Sequence, residues 1–150
     1  MAIDLSALLK ERLDECSTLW EKDLAAHRDE ELLSSASETA RSVADFAYET
    51  IFVNRRIAAR LRGETVAAMD GFPSCPEELR SRDMLAKAMR ESADEVFASV
   101  GDPEREITRP DGSKVSAFAS AEFAAIHMFY HLGQVNYVQT VYGDPAVHWM

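Results

Sequence analysis

Apolar residues recur at steps of three and four along the first part of the chain, which is the spacing of one face of an α-helix. A first helix is predicted over residues 4–26, with Asp4 as its N-cap. Its apolar face consists of Leu5, Leu9, Leu13, Cys16, Trp20 and Leu24. The same spacing predicts a second helix over residues 37–62, followed by Gly63 in the position after the helix C-terminus. Because Cys16 lies on the apolar face, we interpret it as a core thiol rather than a reactive one.

Two further helices are predicted in the second half of the chain. A capping-box pattern at residues 74–77 predicts that the third helix starts there, and Gly101 marks its end. Residues 107–115 contain a Pro-Asp-Gly turn and form either a small hairpin or an ordered loop. The fourth helix is predicted over residues 116–142 and stops at Gly143.

These elements define the expected fold class. Four long helical segments without a sustained strand pattern predict an all-α fold, namely a four-helix bundle. The loops are long enough for crossover connections, so the helices need not alternate in direction. The 150 residues are enough for one ordinary domain, and no linker longer than a loop divides them. We therefore expect residues 1–150 to form a single domain.

The charge of the chain argues against two classes of partner. Lysine and arginine number 16 and aspartate and glutamate 26, which gives a net charge of −10. This charge repels nucleic acid and an anionic membrane surface. Residues 123–143 are uncharged when histidine is neutral, but their polar side chains are costly among lipid tails, which favours a buried helix. Since the N-terminus lacks a signal-peptide pattern, we expect a cytoplasmic protein without nucleic-acid or membrane partners.

Two histidines on the fourth predicted helix are the clearest candidates for chemistry. His127 and His131 are four residues apart, so they lie on one helix face, and Gln134 continues that stripe. Two imidazoles at this spacing can place two nitrogens on one divalent ion, as in helical zinc sites. The alternative is a pair of core histidines that each hydrogen-bond to a carbonyl or a carboxylate. The intervening residues are Met-Phe-Tyr, so the glutamate base of HExxH metalloproteases is absent.

Another helix must complete such a site, and the second predicted helix offers Glu49. This glutamate lies among apolar and weakly polar residues, where a carboxylate is costly unless it is paired. Metal coordination is one pairing, and residue spacing alone favours the alternative, a salt bridge to Arg41, Arg55 or Arg56. Asn54 is a candidate either for a hydrogen bond beside the site or for a contact between helices.

The end of the second predicted helix is basic, although the chain as a whole is acidic. The run consists of Arg55, Arg56, Arg60 and Arg62. Positive side chains at a helix C-terminus interact favourably with the helix dipole, which is the simpler explanation of the run. Capture of an anionic substrate is the alternative.

The fourth predicted helix also carries a resemblance to a known family. The segment His127-Met-Phe-Tyr-His131-Leu-Gly-Gln134, followed by Tyr-Gly-Asp at residues 142–144, resembles the last helix of the DinB-like family of bacterial proteins. In that family an HxxxHxGQ motif closes a metal site. Residues 109–112 and residues 42–63 also resemble the family pattern. The likeness covers nearly the whole chain, and the fourth-helix motif is its specific part.

The resemblance implies a four-helix bundle with up-down-down-up order, commonly dimeric, that binds a divalent metal, typically zinc or nickel, through three histidines. His127 and His131 match two of these ligands. The third family ligand follows a serine at the start of the second helix by seven positions, and counting from Ser42 reaches Glu49. The resemblance therefore implies either a site of two imidazoles and one carboxylate or a lost metal. The carboxylate broadens the plausible metals to manganese or iron.

Two functional hypotheses follow. The first is a metal-dependent enzyme with a small-molecule substrate, which acts as a hydrolase or as a thiol-dependent S-transferase or isomerase; the resemblance implies both reactions. The candidate metal ligands are Glu49, His127 and His131, and the candidates for hydrogen bonds around them are Asn54, Tyr130 and Gln134. The second is a non-catalytic homodimeric bundle with a structural or vestigial metal site. Candidates for its dimer face, if they are not buried in the monomer, are Trp20, Tyr137, Tyr142 and Trp149.

Overall fold

A computed structural model of the chain describes residues 3–109 and 111–148. The helices and strands are α1 (Leu5–Ala26), α2 (Asp29–Leu33), α3 (Val43–Leu61), α4 (Arg82–Ala98), β1 (Glu106–Thr108), β2 (Lys114–Ser116) and α5 (Ala117–Val141). The long helices α1, α3, α4 and α5 form the bundle, so the predicted all-α four-helix fold is confirmed.

The bundle has up-down-down-up order. Helices α1 and α3 each pack against both α4 and α5. In cross-section, α1 therefore lies diagonally opposite α3, and α4 lies diagonally opposite α5. Residue numbers rise together across the parallel pair α1 and α5, as in the contacts Cys16–Ala125 and Trp20–Met128. They also rise together between α3 and α4, as in Asn54–Ser92 and Arg62–Glu95. They run in opposite senses between α1 and α4, as in Lys10–Asp94 and Glu21–Arg90.

Two predicted helices begin and end almost where the sequence places them. The carboxylate of Asp4 accepts hydrogen bonds from the first-turn N–H groups of α1, at 3.0 Å, and the Ser116 hydroxyl accepts one from Ala119 N–H at the start of α5, at 3.1 Å. Gly143 follows α5 with a φ of +90°, a left-handed conformation that glycine adopts without strain. Cys16 is 7% exposed, which confirms a core thiol, and burial raises its pKa to about 11.

The predicted start of the second helix, at residue 37, is wrong. α3 begins at Val43, because the Ser42 hydroxyl accepts a hydrogen bond from Asp45 N–H, at 3.1 Å, and so caps the helix there. Residues 37–42 lie outside the helix, and the short helix α2 precedes them where the sequence pattern predicted none. This later start matters for the site because it places Arg41 just before the first turn of α3.

The predicted start of the third helix, at residues 74–77, is also wrong. The Cys75 N–H donates to the Asp45 carboxylate, at 2.8 Å, so this loop is tied to the start of α3 instead of capping its own helix. A single 3-10 turn follows at Glu77–Leu79, and α4 starts after Ser81, whose hydroxyl accepts from an N–H of its first turn.

Between α4 and α5 the open alternative resolves to a hairpin. β1 and β2 pair antiparallel, with Ile107 opposite Val115. The buried Ile107 side chain anchors the hairpin on the core of the bundle. Within the described ranges, no helix has the length and the apolar character that crossing a bilayer requires, and Ser120, His131 and Gln139 of α5 are buried in the bundle.

Candidate metal centre

Two antiparallel helices bring the three candidate ligands together. Glu49 lies two turns into α3, and His127 and His131 lie one turn apart near the middle of α5. The side chains of Glu49 and His131 are each 5% exposed and that of His127 is 14% exposed. The cluster is therefore buried between the helices, with its most accessible side at His127.

The donor atoms have the separations that one ion requires. The Nε2 atoms of His127 and His131 are 3.2 Å apart, and the Glu49 Oε1 atom lies 3.7 Å from the first and 3.5 Å from the second. Tetrahedral bonds of about 2.0–2.1 Å place ligand atoms about 3.3–3.4 Å apart, so the three observed edges are close to those of a zinc site.

A hydrogen bond fixes the protonation of His131. Its Nδ1 lies 2.6 Å from Gln134 Oε1, and because an amide oxygen only accepts, Nδ1 carries the proton. The Nε2 atom of the neutral ring is then a lone-pair donor that faces the cluster. The Gln134 amide in turn donates to the Tyr130 hydroxyl at 3.4 Å. Gln134 and Tyr130 thus orient one imidazole, the role that such partners play around metal-bound histidines.

The carboxylate of Glu49 serves two partners at once. Its Oε2 atom accepts a hydrogen bond from the Arg41 guanidinium, while Oε1 faces the imidazoles. The salt bridge that residue spacing favoured is therefore present with Arg41, and it leaves one oxygen for a metal. The Arg41 guanidinium is itself held 5.0 Å from the centre of the Phe46 ring and 4.8 Å from that of Phe72.

Both imidazoles are held in the neutral form that binds metal. Burial lowers the pKa of His127 to about 4, with a further lowering from His131 and an opposing effect of the Glu49 carboxylate. Burial likewise lowers the pKa of His131, although the same carboxylate and the hydrogen bond to Gln134 act in the opposite direction. Protons therefore compete weakly with a metal for these nitrogens near neutral pH.

The support of His127 differs from that of His131. Its ring stacks on Phe123 with centroids 5.9 Å apart, and its buried Nδ1 has no hydrogen-bond partner among residues 3–109 and 111–148.

Asn54, the remaining candidate for a hydrogen bond beside the site, lies five residues beyond Glu49. Its amide donates to the Ser92 hydroxyl of α4 at 3.0 Å, which is a contact between helices.

The roles of three aromatic residues around the site were not predicted from the sequence, although Phe123 lies on the stripe of His127 and Phe46 lies near Glu49. Phe46 and Phe72 enclose Arg41, and Phe123 covers His127. The positions of Phe46 and Phe123, three and four residues before a ligand on the same helix, could have indicated both contacts. Phe72 comes from the long loop before α4, and nothing in the sequence pattern brings that loop to the site.

Comparison with known proteins adds information about the fold. No model of a known protein family matches the chain, and no curated protein matches it. Among solved structures it is similar to a conserved protein from Enterococcus faecalis, with a TM-score of 0.72 and 16% identity over 95% of this chain and 100% of that chain. It is also similar to a histidine-to-alanine mutant of the mycothiol-dependent maleylpyruvate isomerase, with a TM-score of 0.53 and 16% identity over 85% of this chain and 60% of that chain. At this identity the likeness concerns the fold alone.

Proposed function

We propose that the chain is a metal-dependent enzyme that transfers or isomerises a small molecule with the help of a low-molecular-weight thiol. The observation that carries this proposal is the convergence of the donor atoms of Glu49, His127 and His131, which all lie within 4.8 Å of one another. The name of the structurally similar isomerase favours thiol chemistry over the alternative, hydrolysis. A set of three protein ligands is typical of catalytic sites, which keep one position open.

The resident ion that we propose is zinc or nickel, with manganese or iron as the alternatives that a carboxylate ligand admits. The three donor separations support zinc best, because they resemble tetrahedral edges. Such an ion supplies Lewis acidity that lowers the pKa of a bound thiol or water and polarises a carbonyl. The protein side chains position and shield the ligands. Gln134 orients His131, Arg41 balances the Glu49 charge, and Phe123 shields His127 from water.

The proposal is tested by assaying purified protein with and without zinc. The thiol assay follows the transfer of mycothiol to a chlorodinitrobenzene, in which the thiolate sulfur bonds to the ring carbon and chloride leaves. The hydrolase assay uses a nitrophenyl ester. We expect zinc to accelerate thiol transfer by at least about 100-fold, and Glu49→Gln to reduce the rate by at least about tenfold, since metal ligation and charge are both weakened. Glu91→Gln, an exposed glutamate of α4, is the matched control.

The other possible results would contradict the proposal, each in a different way. Zinc-dependent ester cleavage without thiol transfer would identify a hydrolase. Bound zinc without either activity would favour the non-catalytic bundle. If Glu91→Gln and Glu49→Gln lower the rate equally, the activity does not come from this site.

We also propose that the protein is a homodimer. Trp20, one of the candidates, is fully buried in the monomer and donates to a carbonyl of α5, so it is not available for a dimer face. Tyr142 is partly buried, Tyr137 is 70% exposed, and Trp149 lies outside the described residues. A better surface is the outer groove, a cavity of about 300 Å³ between α1 and α5, lined by Arg12, Glu15, Cys16, Leu19, Glu122, Ala125, Ile126 and Phe129.

The outer groove is suited to a second copy of the same chain. Ile126 and Phe129 are 58% and 55% exposed, which is unusual for side chains of this size. Charges of both signs line the groove, Arg12 on one hand and Glu15 and Glu122 on the other. A two-fold axis through the groove can therefore pair the basic side chain of each copy with an acidic one of the other.

Phe129→Glu is expected to convert the dimer into a monomer, because the new carboxylate would be buried in an apolar contact. Sedimentation velocity over a range of concentrations measures the change. Met84→Glu introduces the same charge at another exposed apolar residue, 44% exposed on α4, and should leave the dimer intact. A wild-type protein that is monomeric throughout the range contradicts the proposal.

A further inference from the structure

A cluster of arginines lies beside the candidate metal centre. Arg56 and Arg60 are one turn apart on α3, and Arg109 follows β1 in the hairpin. The pKa of the Arg60 guanidinium is lowered by burial and by the positive charges of the other two. Like charges repel one another, so this arrangement is costly unless an anion balances it.

For two of these arginines, residues 3–109 and 111–148 offer no ion-pair or hydrogen-bond partner to the guanidinium group. The ion pairs of arginine among the described residues involve Arg28, Arg41, Arg62 and Arg90. Arg56 donates to the Ala67 carbonyl and lies against the Phe52 ring. Arg60 and Arg109 take part in none of these pairs, although the chain has ten more acidic than basic residues from which a partner could come.

Arg60 and Arg109 line one cavity of about 450 Å³, which we call the arginine pocket; its other lining residues are Asp111, Ser120 and Phe123. The Asp111 carboxylate accepts hydrogen bonds from the Ser113 N–H, at 2.9 Å, and hydroxyl, at 2.7 Å. The pKa of Asp111 is lowered by these hydrogen bonds and, to a smaller extent, by the positive charge of Arg109. The Arg109 N–H donates to the Ser113 carbonyl at 2.8 Å, which fixes the backbone from which the arginine extends.

The arginine pocket adjoins the candidate metal centre through Phe123. This ring lines the pocket and also stacks on His127, with centroids 5.9 Å apart. Phe123 and Ser120 precede His127 by four and seven residues on α5, which corresponds to about 6 and 10 Å along the helix axis. On α3, Arg60 lies eleven residues beyond Glu49, which is about 16 Å along the helix axis, so a ligand held at Arg60 must be extended to reach the centre past Phe123.

We propose that the arginine pocket binds a carboxylate or phosphate group of the substrate, and that the substrate is therefore a small organic anion. This inference rests on the proposed function, because it takes the Glu49, His127 and His131 cluster as the reacting end. Arginine pairs with both anions through two parallel hydrogen bonds, so two guanidinium groups hold and orient such a group. The pocket supplies this attraction locally, on a protein whose overall charge repels anions.

Binding of glutarate and of glycerol phosphate tests the proposal, with neutral glutaramide as the ligand control. Titration calorimetry at constant ionic strength is carried out on metal-free and zinc-loaded protein. We expect saturable binding of at least one anion and none of glutaramide, and the two anions distinguish a carboxylate site from a phosphate site. Arg60→Gln and Arg109→Gln should each raise the Kd by about tenfold, the effect of losing one charged hydrogen-bonding group.

Arg55→Gln is the matched variant, since Arg55 is an exposed arginine of the same helix that does not line the arginine pocket. Its Kd should remain within about twofold of wild type. An equal loss in Arg55→Gln and Arg60→Gln would indicate a general charge effect and overturn the proposal, as would the absence of saturable binding. Circular dichroism checks that the variants are folded, and Arg109→Gln, in the hairpin, leaves α3 intact.

Zinc content separates the two proposals. If zinc binds and neither anion binds in the arginine-dependent way, the pocket proposal fails and the metal centre remains. If an anion binds through Arg60 and Arg109 in a protein that takes up no zinc, the anion site is real and the proposed function fails.

Discussion

His131→Ala is expected to weaken zinc binding by more than about 100-fold. The substitution removes one of three donor atoms and also the ring that Gln134 orients through a 2.6 Å hydrogen bond. Loss of a residue that only supports a ligand typically costs about 10–100-fold in metal affinity, so loss of the ligand itself should exceed that range. Competition with a chromophoric chelator measures the affinity, and elemental analysis gives the number of ions per chain.

Two further variants make this prediction specific. Gln134→Leu keeps the three ligands and removes the hydrogen bonds of Gln134 to His131 and Tyr130, so we expect an intermediate loss of about 10–100-fold. His148→Ala removes a histidine that bonds to Asp144, at 2.7 Å, beyond the end of α5, and it should bind zinc like the wild type. Retention of one ion per chain at wild-type affinity in His131→Ala would show that the cluster is not the metal site.

Metal-free protein is expected to lose stability steeply between pH 7 and pH 4. The pKa of His127 is lowered to about 4 in the folded state, whereas an unfolded histidine titrates near 6.5. The unfolded chain therefore binds more protons in this interval, and the free energy of unfolding falls as the pH falls. His127 alone accounts for about 3 kcal/mol at pH 4. His131, whose pKa is also lowered, acts in the same direction.

Urea unfolding of chelator-treated protein at a series of pH values measures this loss. His127→Gln has no group to protonate, so its stability should fall less steeply over the same interval. His148→Gln removes a partly exposed histidine whose ion pair with Asp144 is screened by solvent, so it should change the pH dependence much less than His127→Gln. Parallel curves for His127→Gln and wild type would contradict the assignment of the pH dependence to the buried pair.

The sequence predicted the bundle well because its helices carry their own start and end residues. Asp4 caps α1, which has a regular apolar face, and Ser116 caps α5, whose exposed side also carries large apolar residues such as Ile126 and Phe129. The start of α4 was misplaced for a physical reason: the Cys75 N–H bonds to Asp45, 30 residues away, and not to a cap of its own. Competition between a local cap and a distant acceptor cannot be judged from local sequence.

The candidate site was predictable in its ligands but less so in its surroundings. His127 and His131 share a helix, so their spacing alone places them together, and the family resemblance pointed to Glu49 on α3. Residue spacing offered metal or salt bridge as alternatives for Glu49, whereas the folded carboxylate uses one oxygen for Arg41 and turns the other to the imidazoles. Phe72, which contacts Arg41, and Arg109, which lines the arginine pocket, lie in loops. The path of a loop depends on packing and is not predicted by the periodicity of apolar residues.

The parallel contact between α1 and α5 determines when a newly made chain can fold. Trp20 and Leu24 are fully buried, and the Trp20 indole donates to the Met128 carbonyl at 3.1 Å. During synthesis α1 is complete about 90 residues before α5 begins, so these side chains remain without their partner for most of translation. We therefore expect folding to be completed only after α5 has left the ribosome.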